Sequence, residues 1–322
     1  MNTTKDIVKN EGGQKMAKKR KNTKIQRSIA TIIALMVVGI AGILGINEDF
    51  ANTVSDEGES YNNKNEQQVE FVAQEDLLID FIDVGQADSI LIRNQDEVML
   101  IDAGTNEAGE TIVNYLEKLG ITKINYLIGT HPHEDHIGGL DQVINNFDIE
   151  QIYMPKIETT TKTFEDVLEA IENKNLTVIA PNKGDKIELG QAVGKFMTEP
   201  ILDKDNLNLS SLVLRLEFGN TSYLFMGDAE EENEKTINWP KTDVLKVGHH
   251  GSSTSSSENF LNQVQPQYAV IMAGKDNSYG LPKQEIIDKL NNIGSEIYRT
   301  DEDGTIQIIS DGNNIEIKII NH

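Results

Sequence analysis

The chain has 322 residues, 38% of them hydrophobic, and no cysteine, which excludes disulfides, thiolate metal sites and a cysteine nucleophile. Its formal net charge is −23 and unevenly placed: residues 1–28 carry nine Lys/Arg against two acids, whereas residues 75–322 carry 19 against 43. A body this acidic repels polyanions at long range, which argues against a broad nucleic-acid-coating surface but not against a short site where bound cations reverse the local field.

In chain order, the basic tail at 1–28 is followed by "IATIIALMVVGIAGILGI", residues 29–46, eighteen residues without a charge. At about 1.5 Å per residue this run spans roughly 27 Å, close to the hydrocarbon thickness of a bilayer. Length and basic flank predict a single transmembrane helix, with the tail in the cytoplasm and everything after residue 46 on the outer side of the cell membrane. A removed signal segment, which would release the remainder, is the alternative, and a buried core helix is the bland reading. Residues 47–74 are polar, acidic and aperiodic, and read as a flexible linker.

From residue 77 short apolar runs begin. "LLIDFIDV", "SILIRN" and "EVMLIDAG" read as three strands, and "AGETIVNYLEKLG" as a helix with Ile112, Val113, Leu116 and Leu119 on one side and Gly120 as its stop. Strand "INYLIGT", helix "GGLDQVINNF", strand "QIYMP", helix "TFEDVLEAIENKN" with Thr163 as its cap, and strand "TVIAP" follow. Two long strands, "SSLVLRLEFGN" and "TSYLFMGDA", precede helix "EEENEKTI", strand "DVLKVGHH", helix "SSENFLNQVQ", strand "YAVIMAG", helix "KQEIIDKLNN" and three closing strands. This alternation predicts an α/β domain over residues 75–322, with sheets covered by helices.

The chemistry concentrates in three strand ends. "THPHEDHIGG", residues 130–139, crowds His131, His133, Asp135 and His136 together, and two imidazoles spaced by two residues point the same way from an extended segment. They make half a metal site, while Asp135 and His136, past the bend, face a second position. The competing reading is a capped helix start, with Asp135 as the cap. Asp228 ends the run "YLFMGDAEEENE", where a buried carboxylate is costly unless paired or bound to a cation. Its two oxygens suit it to bridge two metals; capping the acidic helix is its alternative role. "DVLKVGHHGSSTS" supplies His249 and His250, of which His250 is the first choice as a ligand and His249 as a group that contacts substrate or donates a proton. The hydroxyls of Ser252, Ser253 and Thr254 either contact phosphate or cap "SSENFLNQVQ".

Together these residues resemble the metallo-β-lactamase superfamily, whose signature is His-x-His-x-Asp-His followed by a lone Asp and a late His. More closely they resemble the extracellular hydrolase domain of the ComEC family of DNA-uptake proteins, through "FIDVGQADSILI", "LIDAG", "THPHEDHIGGL", "NLSSLVLRLEFGNTSYLFMGD", "DVLKVGHHGSSTSS", "NSYGLP" and "YRTDEDGTIQI". The resemblance implies a four-layer αββα sandwich and two divalent metal ions, Zn or Mn. It places His131 and His133 on one metal, Asp135 and His136 on the other, Asp228 between them and a late His at 249 or 250. Asp135 and His249 are the residues it brings nearest to catalysis. Asp102 would steady the His loop, and Ser211 and Ser252 would support the site or touch substrate. Three departures stand out: Asn208, Ser210 and Ser211 occupy the region where many members supply another His, Leu281 replaces a usual His, and Ala87 a usual Gly.

The function this implies is metal-dependent hydrolysis of a phosphodiester at the cell surface, with DNA as the foremost substrate. A smaller envelope phosphoester such as phosphorylcholine is the second reading, and a non-catalytic binding protein on the same scaffold the third. Protein partners are not legible.

Overall fold

The computed structural model describes residues 76–320. The basic tail, the apolar run at 29–46 expected to span a membrane, the expected linker and His322 lie outside the described residues. Among the described residues no helix is long and apolar enough to cross a membrane.

The elements are β1 (Leu77–Phe81), β2 (Ile90–Asn94), β3 (Glu97–Ile101), α1 (Gly109–Lys118), β4 (Lys123–Ile128), α2 (Glu134–Ile137), α3 (Leu140–Asn146), β5 (Asp148–Tyr153), α4 (Lys162–Asn173), β6 (Val178–Ile179), β7 (Lys186–Leu189) and β8 (Ala192–Phe196). They continue as β9 (Leu214–Phe218), β10 (Thr221–Phe225), α5 (Glu231–Glu234), β11 (Val244–Lys246), α6 (Glu258–Val264), β12 (Tyr268–Ile271), α7 (Gln284–Asn292), β13 (Glu296–Arg299), α8 (Thr300–Asp303), β14 (Thr305–Ser310) and β15 (Ile315–Ile320). They build an 8-stranded sheet in the order β15-β14-β1-β2-β3-β4-β5-β6 and a 7-stranded sheet in the order β13-β12-β11-β10-β9-β8-β7.

Period-two patterning produces the sandwich. Leu77, Ile79 and Phe81 of β1, and Leu214, Leu216 and Phe218 of β9, turn the same way along their strands and fill one core with Tyr223 and Phe225. The intervening residues face outward onto helices. Leu91 and Leu100 pack with Ile112, Leu116, Val143 and Val167 of the first helical layer; Leu224 and Leu245 pack with Phe260, Leu261, Ile286 and Leu290 of the second. The result is an α/β sandwich of two sheets, each covered by helices on its outer face.

The topology also fixes where the functional loops lie. β3 and β4 run parallel, as do β10, β11 and β12. Because β1 and β3 are both antiparallel to β2, β1 ends at the same edge as β3. The loops after β1, β3, β4, β10, β11 and β12 therefore emerge at the carboxyl ends of their strands, where open α/β sheets place ligands.

Local details depart from the sequence reading. The cap of α4 is Thr161, whose hydroxyl accepts from Phe164 N at 3.3 Å; Thr163 instead bonds to Asn106. Leu119 lies past the end of α1 and is 41% exposed. The hairpin β7–β8 has no counterpart in the sequence reading, although Ile187, Leu189, Ala192 and Phe196 alternate with exposed residues around a two-residue turn.

Candidate metal centre

The His loop leaves β4 and is latched to the loop after β3. Ala103 N donates to His136 O at 2.7 Å, Gly138 N to Gly104 O at 2.9 Å and Gly139 N to Ala103 O at 3.2 Å. Asp102, fully buried, completes the latch: Thr130 N donates to its Oδ1 and Thr130 Oγ1 to its Oδ2, both at 2.7 Å.

These contacts determine which ring nitrogens face the centre. His136 Nδ1 donates to Asp102 Oδ2 at 2.8 Å, so Nε2 is the nitrogen turned to the centre, 3.2 Å from Asp228 Oδ1. Thr130 Oγ1 already spends its proton on Asp102 and accepts from His131 Nδ1 at 3.2 Å, turning His131 Nε2 to the centre, where it shares a hydrogen bond of 3.0 Å with His133 Nδ1 and lies 3.9 Å from Asp228 Oδ2. His250 Nδ1 donates to Met272 O at 2.9 Å, which turns its Nε2 to Asp135 Oδ2 at 3.3 Å and Asp228 Oδ2 at 3.7 Å. Asp228 thus stands between two groups of nitrogen donors contributed by both sheets.

The structure also separates the two adjacent histidines. Both have left-handed backbone, φ 48 at His249 and 52 at His250, so successive rings diverge. His250 is buried among the carboxylates, whereas His249 is half-open. The latter packs with Nδ1 against Thr254 Oγ1 at 3.0 Å and Glu230 Oε1 at 3.3 Å, while Nε2 stands 3.7 Å from Asp228 Oδ2. Glu230, absent from the sequence reading, accepts from Asn206 Nδ2 at 2.8 Å, Asn208 Nδ2 at 3.2 Å and Thr254 Oγ1 at 2.9 Å. In an acidic run such as "AEEENE" nothing marks it out.

Several alternative roles fall away. Asp135 is not a cap, because His133 holds that position of α2 and makes no side-chain cap bond. Asp228 does not cap α5; Glu230 does, in a reciprocal box with Asn233. The cap of α6 is Ser257, so Ser252 and Thr254 do not serve that helix. Ser252 Oγ bonds to Thr254 Oγ1 at 3.2 Å, and Ser211 Oγ accepts from Asp228 N at 3.1 Å, so Ser211 fixes the Asp228 backbone.

Asp88 and Lys246 also escaped the sequence reading. Both are buried and form an ion pair beneath the site. A lone Lys inside "DVLKVG" reads as an exposed strand residue, and Asp88 as part of a turn.

Electrostatics follow from this crowding. Burial and neighbouring imidazoles push the His131 ring well below its ordinary range, and burial lowers His133. Burial also opposes charge on His136 and His250, but carboxylates prevail. Asp228 and Asp102 hold His136 well above its usual value, and Asp228, Asp88 and Asp135 hold His250 at about 10. Burial raises Asp228, and the surrounding imidazoles overcome it to hold the carboxyl well below the usual range.

The donor set fits divalent metal. His136 Nε2, His250 Nε2 and Asp228 Oδ1 are buried and make no hydrogen bond, a costly condition that a cation relieves. Donor atoms of His131, His136 and Asp228 lie within 4.8 Å of one another, as do those of Asp135, His136 and His250. All are nitrogen or oxygen, a set suited to Zn, Mn or Fe.

Known proteins share this sequence pattern and fold to different extents. A family model described as the metallo-beta-lactamase superfamily matches residues 82–275. ComE operon protein 3 of Bacillus subtilis is 33% identical over 251 residues, covering 71% of this chain and 32% of that protein. Competence protein ComA of Neisseria gonorrhoeae is 29% identical over 244 residues, covering 74% of this chain and 33% of that protein. The chain therefore spans about a third of the length of these curated relatives. Among solved structures, the metallo-beta-lactamase fold protein YhfI from Bacillus subtilis aligns at 11% identity with a TM-score of 0.48, over 70% of this chain and 96% of that one.

Proposed function

The chain belongs to the metallo-beta-lactamase superfamily, and from that premise we propose that it is a metal-dependent phosphodiesterase that cleaves DNA at the outer face of the cell membrane. The observation that carries the reading is the set of unpartnered buried donors around Asp228, drawn from both sheets. In this reading His131, His133 and Asp228 would hold one metal, and Asp135, His136, His250 and Asp228 would hold the other. When bound, such cations would activate a water near neutral pH and offset charge on a phosphoryl group.

The chain's own residues do the rest. Asp102 and Met272 O fix the tautomers of His136 and His250, so that each Nε2 stays aimed at the centre. Thr254 and Glu230 hold His249 by Nδ1, and Nε2, 3.7 Å from Asp228 Oδ2 and 3.3 Å from Asn208 Nδ2, is the nitrogen that would pass a proton to the leaving oxygen. The choice of DNA rests on the similarity to competence proteins. The reading at the membrane rests on the apolar run at residues 29–46.

A second substrate class, a small phosphoester such as phosphorylcholine, is favoured by a groove of 680 Å³ at the same sheet edge, lined by Asp83, Glu107, Lys275 and Asp301, the last paired with Arg299. The test is the full-length chain with Mn²⁺ or Zn²⁺ on DNA, RNA, a chromogenic phosphodiester and phosphorylcholine esters. DNA cleavage that Asp228→Ala abolishes is the expected result. Turnover of phosphorylcholine alone selects the second class, and no turnover with metal bound refutes the phosphoesterase reading.

A further inference from the structure

Lys246 ends β11 in the 7-stranded sheet and is fully buried. Its ammonium pairs with Asp88 and donates to Gly227 O at 3.1 Å, one residue before Asp228. Asp88 sits in the loop after β1 of the other sheet. Its backbone is committed to the first half of the site: Asp88 N donates to Asp135 O at 3.1 Å, and Gly104 N donates to Asp88 O at 2.8 Å. Its carboxylate looks toward the second half, with Oδ1 3.4 Å from His250 Nδ1.

One ion pair thus touches the loops that carry Asp102, Asp135, Asp228 and His250. We infer that the Asp88–Lys246 pair is a clamp between the two sheets that sets the spacing of the second metal position, with Lys246 acting as a positioning residue. The inference rests on the proposed metal-dependent reading of the site.

The geometry gives Lys246 a second task. Oxygens of Asp88 lie within 4.8 Å of donor atoms of Asp228 and His250, and separately of Asp102 and His136, so an unrestrained Asp88 would compete for the same cation. An ammonium fixed by a backbone carbonyl on the opposite sheet holds that carboxylate as a counter-charge. A buried ion pair is weak evidence for stability in itself, because desolvation offsets the attraction, but losing one partner strands the other charge. Spacing and stability can therefore be separated by neutralising both partners.

The experiment uses the full-length chain with Asp88→Asn, Lys246→Met and the double variant, following thermal stability and calorimetric Mn²⁺ binding. Lys246→Met is expected to lower the melting temperature and to weaken one of the two Mn²⁺ equivalents by about 10–100-fold, the scale seen for groups that orient metal ligands. The double variant is expected to regain most of the melting temperature while that equivalent stays weak. A double variant that binds both equivalents with wild-type affinity overturns the clamp. So does an Asp88→Asn variant that loses a whole equivalent as Asp228→Ala does, since Asp88 would then be a ligand. A wild-type chain that binds two equivalents but cleaves nothing overturns the proposed function and leaves the clamp standing, whereas one that binds fewer than two overturns both.

Discussion

His136 is held from both sides by carboxylates: Nδ1 lies 2.8 Å from Asp102 Oδ2 and Nε2 lies 3.2 Å from Asp228 Oδ1. Only the first contact is a hydrogen bond, and Asp102 also receives both Thr130 donors, so this carboxylate orients the whole His loop. Asp102→Ala is expected to weaken metal binding by about 10–100-fold while the ligands themselves remain. Calorimetric titration with Mn²⁺ checks it; unchanged affinity would show that the loop holds its shape through the backbone latch alone.

Protons stand in for cations when the centre is empty. With His250 held at about 10, its ring is protonated at pH 7, and a metal must displace that proton to reach Nε2; the carboxylates shift His136 in the same direction. Binding at pH 7 should therefore release protons and tighten as pH rises toward 10. Titrations in buffers of different ionisation enthalpy read the number released, and a buffer-independent heat would contradict the expectation. The same shift has a stability consequence. A raised folded-state value contributes stability that is full below about 6.5 and is lost as pH climbs through about 10. The chelated chain should accordingly melt at progressively lower temperature from pH 7 to 10.

The two neighbouring histidines divide the work differently. His250 is buried with an unpartnered Nε2, whereas His249 is tied by Nδ1 to Thr254 and Glu230 at the open side. His250→Ala should lose metal. His249→Ala should keep both equivalents and lose kcat, with a smaller loss on a nitrophenyl ester, whose leaving oxygen needs no proton. Equal losses on both ester types would remove the proton-passing role.

Much of this was legible in the chain because ligand-type residues fall where apolar runs stop. "YLFMGD" and "INYLIGTHPH" each announce a strand and then a charge it cannot bury. What escaped is what only the assembled sandwich creates. Lys246 looks like any strand lysine until Asp88 arrives from the opposite sheet, and Glu230 is one acid among several until Asn206, Asn208 and Thr254 converge on it. The choice between His249 and His250 depends on two successive left-handed residues that no spacing rule indicates. β7–β8 is different: its alternation and the turn at Gly190 are present in the sequence itself.

The paired glycines after His136 set a last expectation. Gly138 N and Gly139 N donate to Gly104 O and Ala103 O, bringing α2 onto the loop after Asp102 with no room for side chains. A Cβ on Gly138 would overlap the backbone of Thr105 and Asn106, and neither has a flexible end that can move aside. Gly138→Ala should therefore destabilise the chain by about 1–3 kcal/mol, the usual range for overpacking, with backbone as the obstacle favouring the upper end. The strain acts on the segment that carries Asp135 and His136, so Mn²⁺ affinity should fall along with the melting temperature. Gly120→Ala is the control: its added Cβ meets nothing within 4 Å, so it tests positive φ without crowding and should leave metal affinity unchanged. Equal loss of metal affinity in both variants would assign the effect to general destabilisation instead of the contact between the His loop and the Asp102 loop.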